Sequence, residues 1–355
     1  MRIEFIIAAF FIVINTNDSQ ISVHWDQDIL AFGKNEDRNY TQGLEIGYNS
    51  NKLSEIKLFS KQLRNIANCL HFSRKEWSID NDRSLSLGNV LFTPDSLNNA
   101  LVNRLDRPYS GFTYLKLSTY FFDGSETNAV LSSINVGFLG SNIGNVLQTA
   151  IHFAYRAING GSAPYDPLGW HNQIGTNKIT PTFMYHLEMR KAASSQNIRL
   201  AGRIDYGLDI GTYQANLLMS FSGRIGILGR PKENILHMNY NYIGNVNGIL
   251  KAKSIRTTIE RERKMALYAI VYISPKLVFY NQALSGMFVR DSPHTIDEKK
   301  IVLSSGIGFG IDNIGKKKLF EFKYIYNFRT PEFRTIDYYT RFHKWGSLIF
   351  SWKFM

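Results

Sequence analysis

Residues 319–329 read LFEFKYIYNFR. Phe320, Phe322, Tyr324, Tyr326 and Phe328 occupy every second position, and Glu321, Lys323, Asn327 and Arg329 fill the gaps, with only Ile325 out of place. A period of two makes a strand with one apolar and one polar face. The same period recurs in the C-terminal WGSLIFSWKF (345–354), where Leu348, Phe350, Trp352 and Phe354 oppose Ser347, Ser351 and Lys353. TQGLEIGYN (41–49) sets Leu44, Ile46 and Tyr48 against Gly43, Glu45, Gly47 and Asn49, and IVLSSGIGFGI (301–311) alternates large apolar residues with small ones. Extended outward, the pattern predicts strands at 20–30, 40–50, 82–92, 110–122, 128–139, 180–191, 199–212, 216–228, 264–282, 299–311, 318–329 and 345–354. The stretch 232–250 is ambiguous.

Alternation alone leaves two architectures open. In a soluble sandwich the apolar face is the core. In an outer-membrane barrel the order inverts, with apolar residues toward lipid and polar or small ones toward the lumen. Three features favour the barrel: an exported N-terminus, heavy aromatic usage (24 Phe and 19 Tyr), and a last strand ending in an aromatic residue with only Met355 after it.

The N-terminus MRIEFIIAAFFIVINTNDSQ opens with Arg2, runs apolar from Phe5 to Ile14 and then turns polar. That run is too short to span a bilayer as a helix but suits a signal-peptide core. The expected division is a signal peptide over 1–18, cleaved between Thr16 and Gln20, and a barrel over 19–355. The 355 residues suffice for one large domain, and the absence of low-complexity tracts argues against extended disorder. A single cysteine, Cys69, excludes an internal disulfide framework and a Cys-rich metal site. The net charge of +12 points to an anionic partner. For an exported chain that means lipid headgroups and phosphates rather than nucleic acid.

One segment breaks the two-residue period. SNIGNVLQTAIHFAYRAINGG (141–161) has Ser141 or Asn142 as an N-cap and Gly160 and Gly161 as a stop, which predicts a helix. Val146, Leu147, Ile151, Ala154 and Ile158 make its apolar side, while Asn145, Gln148 and His152 form a second stripe.

Taken together, HWDQD (24–28), DRNYTQGLEIGY (37–48), LGNVLFTPDSL (87–97), DRPYSGFTYL (106–115), QTAIH (148–152), GWHNQI (169–174) and the C-terminal FRT and GSLIFSWKF resemble the outer-membrane lipid A 3′-O-deacylase family. No single piece is diagnostic; their order and spacing along nearly the whole chain carry the resemblance. It implies a 12-stranded outer-membrane barrel. It also implies a calcium-dependent carboxylic ester hydrolase that removes the acyl or acyloxyacyl group at the 3′ position of lipid A. The family histidine falls on His152, its helical partner on Gln148, the aspartate of the first strand on Asp28 and the threonine opening the second strand on Thr41. Two departures stand out. Gln27 replaces the usual Asn before the aspartate, and GTNKITP (175–181) lacks the Glu-Pro that often follows GW…Q, which puts an acidic role near Asn177 in doubt.

Topology supports the same grouping. With the N-terminus in the periplasm, odd strands run outward, so the connections after predicted strands one, three and five are extracellular. They hold Asp28 and Thr41, the FTPDSL and DRPYS stretches, and the helix with Gln148 and His152. Strand parity places Asp28 with Ser22, His24 and Asp26, and Thr41 with Glu45 and Asn49, both on the polar side. Gln27 then points the other way, unless a bulge intervenes, and serves the calcium site through its carbonyl.

The chemistry follows from residue types. A neutral imidazole activates water near pH 7, and a hard cation on oxygen ligands stabilises the oxyanion. Asp28 is the anionic ligand, Gln148 orients the base or the water, and Thr41 donates to the oxyanion or positions the ester. Arg107 is a candidate for a lipid A phosphate. Each has a bland counterpart. A lone helical histidine is usually a surface or packing residue, an Asp at a strand end usually forms a turn, and RPYSG (107–111) reads more readily as structural. His24, Asp26 and Asp28 on one face also fit a transition metal. No G-x-S-x-G elbow is present. The functional alternatives are an outer-membrane phospholipase and a passive barrel whose site has decayed. The expected partners are lipopolysaccharide and outer-membrane lipids, with the chain acting as a monomer.

Overall fold

The computed structural model describes residues 19–31, 39–50, 53, 77–78, 83–123, 127–158, 166–175, 180–192, 200–228, 235, 265–287, 292, 294–314, 318–334 and 342–354. The predicted signal segment, Asn177 and nearly all of 232–250 lie outside these residues. The strands are β1 (Ser19–Gln27), β2 (Asn39–Ser50), β3 (Trp77–Ser78), β4 (Arg83–Thr93), β5 (Ser110–Asp123), β6 (Asn128–Leu139), β7 (Thr180–Ala192), β8 (Leu200–Gly211), β9 (Gln214–Leu228), β10 (Met265–Asn281), β11 (Ile301–Ile314), β12 (Lys318–Arg329) and β13 (His343–Phe354). Helix α1 (Ile143–Ile158) follows β6, and the single-turn α2 (Gln282–Ser285) follows β10.

All strand pairs are antiparallel, and β1 pairs with both β2 and β13, so the sheet closes on itself. β3 is a two-residue stub on the end of β5, with Trp77 opposite Asp123, which leaves a ring of twelve strands. Closure gives every strand two neighbours. That is the arrangement that satisfies backbone polar groups in hydrocarbon without a helix. Among the described residues no helix is long and apolar enough to cross a membrane. The ring and the loop helix are those expected from the sequence; β3 and α2 are additions to it.

Burial follows the two-residue period. In β12, Glu321, Lys323, Asn327 and Arg329 are buried, while Phe320 on the opposite face is exposed and Phe322, Tyr324, Tyr326 and Phe328 half-buried. Ile325, out of place in the sequence, is buried in the lumen with Tyr268, Tyr272 and Ile349. The outer face carries exposed Leu87, Leu115, Val136, Phe183, Ile225, Val271 and Ile307, an apolar band for lipid.

The lumen is filled by side chains. Lys116 Nζ and Tyr114 Oη both donate to Glu45 at 2.6 Å. Tyr268 Oη donates to Asp312 at 2.9 Å, and Lys323 pairs with Glu321 at 2.6 Å. Glycines on the lumen face of β11 make room for this layer: a Cβ on Gly310 would stand 2.4 Å from the Tyr268 ring, and one on Gly306 2.4 Å from Tyr272. Near the extracellular mouth Tyr40, Phe92, Phe112, Tyr213 and Trp345 cluster. Above them Arg107 is fully buried, its guanidinium 4.2 Å from the Phe92 ring centroid and its Nη1 3.3 Å from Glu332. Burial alone would raise the Glu332 carboxyl, but Arg329 and Arg107 outweigh it and hold that carboxyl below its usual range. Arg107 therefore clamps a loop inside the mouth. Its burial places this phosphate candidate inside the mouth and not on the outer surface.

Candidate functional site on the outer wall

Antiparallel register partners project from the same face of a sheet. Gly346, Gln27, Gln42, Leu91 and Gly111 are successive partners across β13, β1, β2, β4 and β5 and form one lateral row. Their parity is that of Ile21, Val23 and Trp25, so the row faces outward. An outward row should meet lipid, yet all five residues are buried. Two loop elements cover it.

At one end the chain leaves β1 into a 3-10 turn, Asp28–Leu30. A Cβ on Gly346 would lie 2.6 Å from Leu30 Cβ, so the turn folds back over that glycine. Tyr324, on the lipid side of β12, donates to the Leu30 carbonyl at 2.7 Å. Asp28 opens this turn and is buried. It has left the strand, so it does not share a lumen face with His24 and Asp26. Those two pair with each other inside the barrel at 2.8 Å, with Tyr40 Oη on Asp26 at 2.7 Å. The three-residue transition-metal reading fails on this point.

At the other end α1 is pressed onto the wall. Gly144 Cα lies 3.7 Å from where a Cβ on Gly111 would stand, and a Cβ on Gly144 would meet the Trp170 ring at 2.6 Å. Trp170 belongs to a second 3-10 turn, Trp170–Asn172, and packs on Tyr109 with ring centroids 5.0 Å apart. Leu91, Leu97 and the half-buried Leu147 complete this cluster.

Along α1 the buried stripe is Gly144, Gln148 and His152, spaced four apart; Gln148 is 1% exposed and His152 3%. Val146, at 59%, and Phe153, at 69%, point outward. The polar stripe is thus the packing face, and much of the expected apolar side is on the outside. The inversion makes physical sense only where the surroundings are apolar. A helix lying against the outer wall of a membrane barrel has its dry, polar interface inside and lipid outside. Trp170 Nε1 donates to Gln148 Oε1 at 2.8 Å. Gln148 Nε2 is buried and has no hydrogen-bond partner. Trp170 went unassigned in the sequence, although it sits in the GWHNQI stretch.

Thr41 departs from its expected face. It is the extra residue of a bulge: Tyr40 pairs with Phe92 and Gln42 with Leu91. Its hydroxyl lies 2.5 Å from that of Thr93, the residue after lumen-facing Phe92. The bulge therefore turns Thr41 out of the lumen and toward the covered wall. The parity argument missed it because a one-residue insertion reverses facing.

The residues at the β1 end fit a hard cation. Gln27 and Gln42 are register partners, both buried, and neither amide oxygen has a hydrogen-bond partner. Asp28 follows Gln27 directly. One carboxylate and two amide oxygens are hard donors of the kind calcium takes. Among the described residues no three His, Cys, Asp or Glu side chains gather as a metal-binding group, so the site is one of amides and a single carboxylate. Gln42 was not singled out in the sequence; its outward parity in a covered row is the signal that finds it. Elsewhere, His24 is in the lumen, and His171, in the GWHNQI stretch, is exposed with Nδ1 3.0 Å from the Leu168 carbonyl.

The model of the outer membrane protein LpxR family matches residues 5–354. The chain belongs to the LpxR family. LpxR proteins are the lipid A deacylases that the sequence motifs resemble, and membership places this barrel in the outer membrane. No curated protein matches it by sequence. Among solved structures, LpxR from Salmonella typhimurium aligns with a TM-score of 0.62 at 15% identity, covering 95% of this chain and 100% of that one. The beta domain of the Bordetella autotransporter Brka aligns with a TM-score of 0.40 at 8% identity, covering 96% and 99%. The LpxR fold thus extends over the whole barrel at low sequence identity.

Proposed function

We propose that this chain, acting as a monomer, hydrolyses the 3′-O-linked acyl or acyloxyacyl ester of lipid A in the outer leaflet. The observation that carries the reading is the covered polar stripe of α1 on a lipid-facing wall. A histidine held dry against the outside of a barrel has no role in packing a soluble core, but it is where a membrane lipid's ester arrives laterally.

His152 takes a proton from water, and the resulting hydroxide attacks the ester carbonyl. The imidazolium then returns the proton to the departing sugar oxygen, leaving a free fatty acid and a sugar hydroxyl. Gln148, fixed through its oxygen by Trp170, offers its free Nε2 donor to orient the water. Thr41 accepts from Thr93 and donates its own proton toward the ester oxygen. Asp28, Gln27 and Gln42 would hold a calcium ion, which supplies polarisation of the ester carbonyl when bound. The Gln for Asn change at position 27 is accommodated because Gln42 stands beside it with a second amide oxygen. The packed lumen disfavours the passive-pore alternative.

Mass spectrometry of lipid A from cells with and without the protein tests the reading. Loss of a 3′-linked acyl mass in expressing cells is expected. Altered phospholipids with intact lipid A, or no change at all, would reject it.

A further inference from the structure

Beside the Tyr109–Trp170 stack lies a hollow lined in part by Tyr109, Gly169 and Asn172. It measures about 360 Å³, counting the part open to solvent, and shares Tyr109 and Gly169 with the wall behind Trp170. Its polar lining includes Ser96, Asn99, Asn103, Asp106, Asn172 and His294.

The hydrogen-bond inventory of this lining is specific. His294 is 4% exposed, and its ring donates to the Asp106 backbone carbonyl. Its Nε2 is buried without a partner. The donated proton is therefore on Nδ1, and a neutral ring leaves Nε2 as a bare acceptor. Burial, with the Arg104 charge, keeps the imidazole neutral by lowering its pKa. Asn99 and Asn103 each use their oxygen to accept a backbone N–H, from Leu101 at 2.9 Å and Leu105 at 3.1 Å, which leaves two amide donors. Asn172 uses its nitrogen on the Ala100 carbonyl at 2.8 Å, which leaves an acceptor. The Asp106 carboxylate is already engaged by the backbone N–H groups of Asp95 and Arg107, both at 2.7 Å.

The hollow thus offers neutral donors and neutral acceptors side by side. An anion needs donors alone. A transition metal needs several His, Cys, Asp or Glu ligands together, and no three of these gather among the described residues. A hydroxyl group both gives and takes, and a ring bearing several hydroxyls matches an alternating set.

We propose that this hollow is a saccharide subsite that seats a sugar ring of the lipid headgroup, with His294 Nε2 accepting from a sugar hydroxyl. The inference rests on the deacylase reading for the identity of the lipid. A site built to receive a hydroxyl discriminates strongly against ligands that lack it. Seating the ring here positions the headgroup at the mouth while the acyl chains lie along the apolar face of α1.

The test uses the full chain in detergent micelles, with N-acetylglucosamine as the probe in saturation-transfer NMR. Transfer to the sugar is expected for the wild type and for Lys116→Met, whose change lies in the lumen. It should vanish in His294→Ala and in Ser96→Phe, which fills the hollow while keeping the His294 side chain. His294→Gln, which keeps an acceptor, should restore it. On lipid A, His294→Ala should raise KM about tenfold with kcat unchanged, as loss of one uniform binding contact does. Absence of transfer in the wild type, or undiminished transfer in Ser96→Phe, would overturn the proposal. So would zinc, rather than sugar, shifting the His294 resonances. Sugar binding without lipid A cleavage rejects the deacylase reading and keeps the subsite; cleavage with unchanged KM in His294→Ala does the reverse.

Discussion

Two regions of one barrel surface use the same strand geometry to opposite ends. On the β9–β12 side, outward positions carry Phe221, Ile225, Val271, Ile273, Ile307 and Phe309, all exposed. On the β13–β1–β2–β4–β5 side, the row nearest the extracellular rim carries Gly346, Gln27, Gln42, Leu91 and Gly111, all buried. Alternation sets only which way a side chain points. What it meets depends on whether a loop returns over the wall. Two polar glutamines and two glycines in an outward row would be costly against lipid. They are tolerable only because the Asp28–Leu30 turn and α1 lie on them. The covered wall is a dry polar compartment outside the barrel, and the bare wall is ordinary lipid contact.

The comparison breaks first if the covered wall has no chemistry. His152→Asn should lower turnover on purified lipid A by about a hundredfold or more, the range for removing a general base, with substrate binding retained. Near-normal turnover in the variant would return α1 to the status of a rim helix.

Next in size is the β1 end of the row. Asp28→Ala should mimic chelation by abolishing most activity while the barrel stays folded. Gln42→Leu should weaken calcium activation about tenfold, shifting the concentration needed for half-maximal rate, because it removes one neutral oxygen from several. Full activity in chelator, or rescue by zinc alone, would reject the oxygen site. An unchanged calcium requirement in Gln42→Leu would remove that residue from it.

The lumen makes the contrasting case. Lys116→Met leaves the Glu45 carboxylate buried with Tyr114 as its remaining partner among these three. Breaking such a pair costs about 3–5 kcal/mol. The expected result is a lower urea midpoint in detergent with deacylation per folded molecule unchanged. A loss of specific activity matching that at the covered wall would show that the two regions are coupled.

How much of this could be read in the sequence follows the same division. The ring was legible because a barrel has one local rule, and LFEFKYIYNFR obeys it at all but Ile325. The helix and its Gln148–His152 stripe were legible from capping and spacing. Which side of the helix packs was not, because amphipathicity does not state the solvent. Thr41 was assigned to the wrong face because the bulge that moves it is a pairing event between β2 and β4, with no signature in TQGLEIGYN. The Arg107–Glu332 pair was not legible because its two residues are far apart along the chain. Gln42 and Trp170 became meaningful only when their neighbours were known.

The smallest effect tests the join between the Trp170–Asn172 turn and the helix. Trp170 does two things: its ring packs on Gly144 and Tyr109, and its Nε1 donates to Gln148 at 2.8 Å. Trp170→Phe keeps most of the ring and removes the donor. Gln148 then loses its fixed orientation, but His152, Asp28, Gln27 and Gln42 remain. A neutral hydrogen bond is worth about 1 kcal/mol net, so a loss of roughly fivefold in kcat is expected, with KM little changed. Gln148→Ala should cost somewhat more, since it removes the oriented donor as well as its anchor. In Gln148→Ala the further change Trp170→Phe should then have no additional effect, because the bond it would break is already gone. Additive losses in the double variant would mean that Trp170 acts through packing against α1 alone, and that the glutamine is oriented by something else.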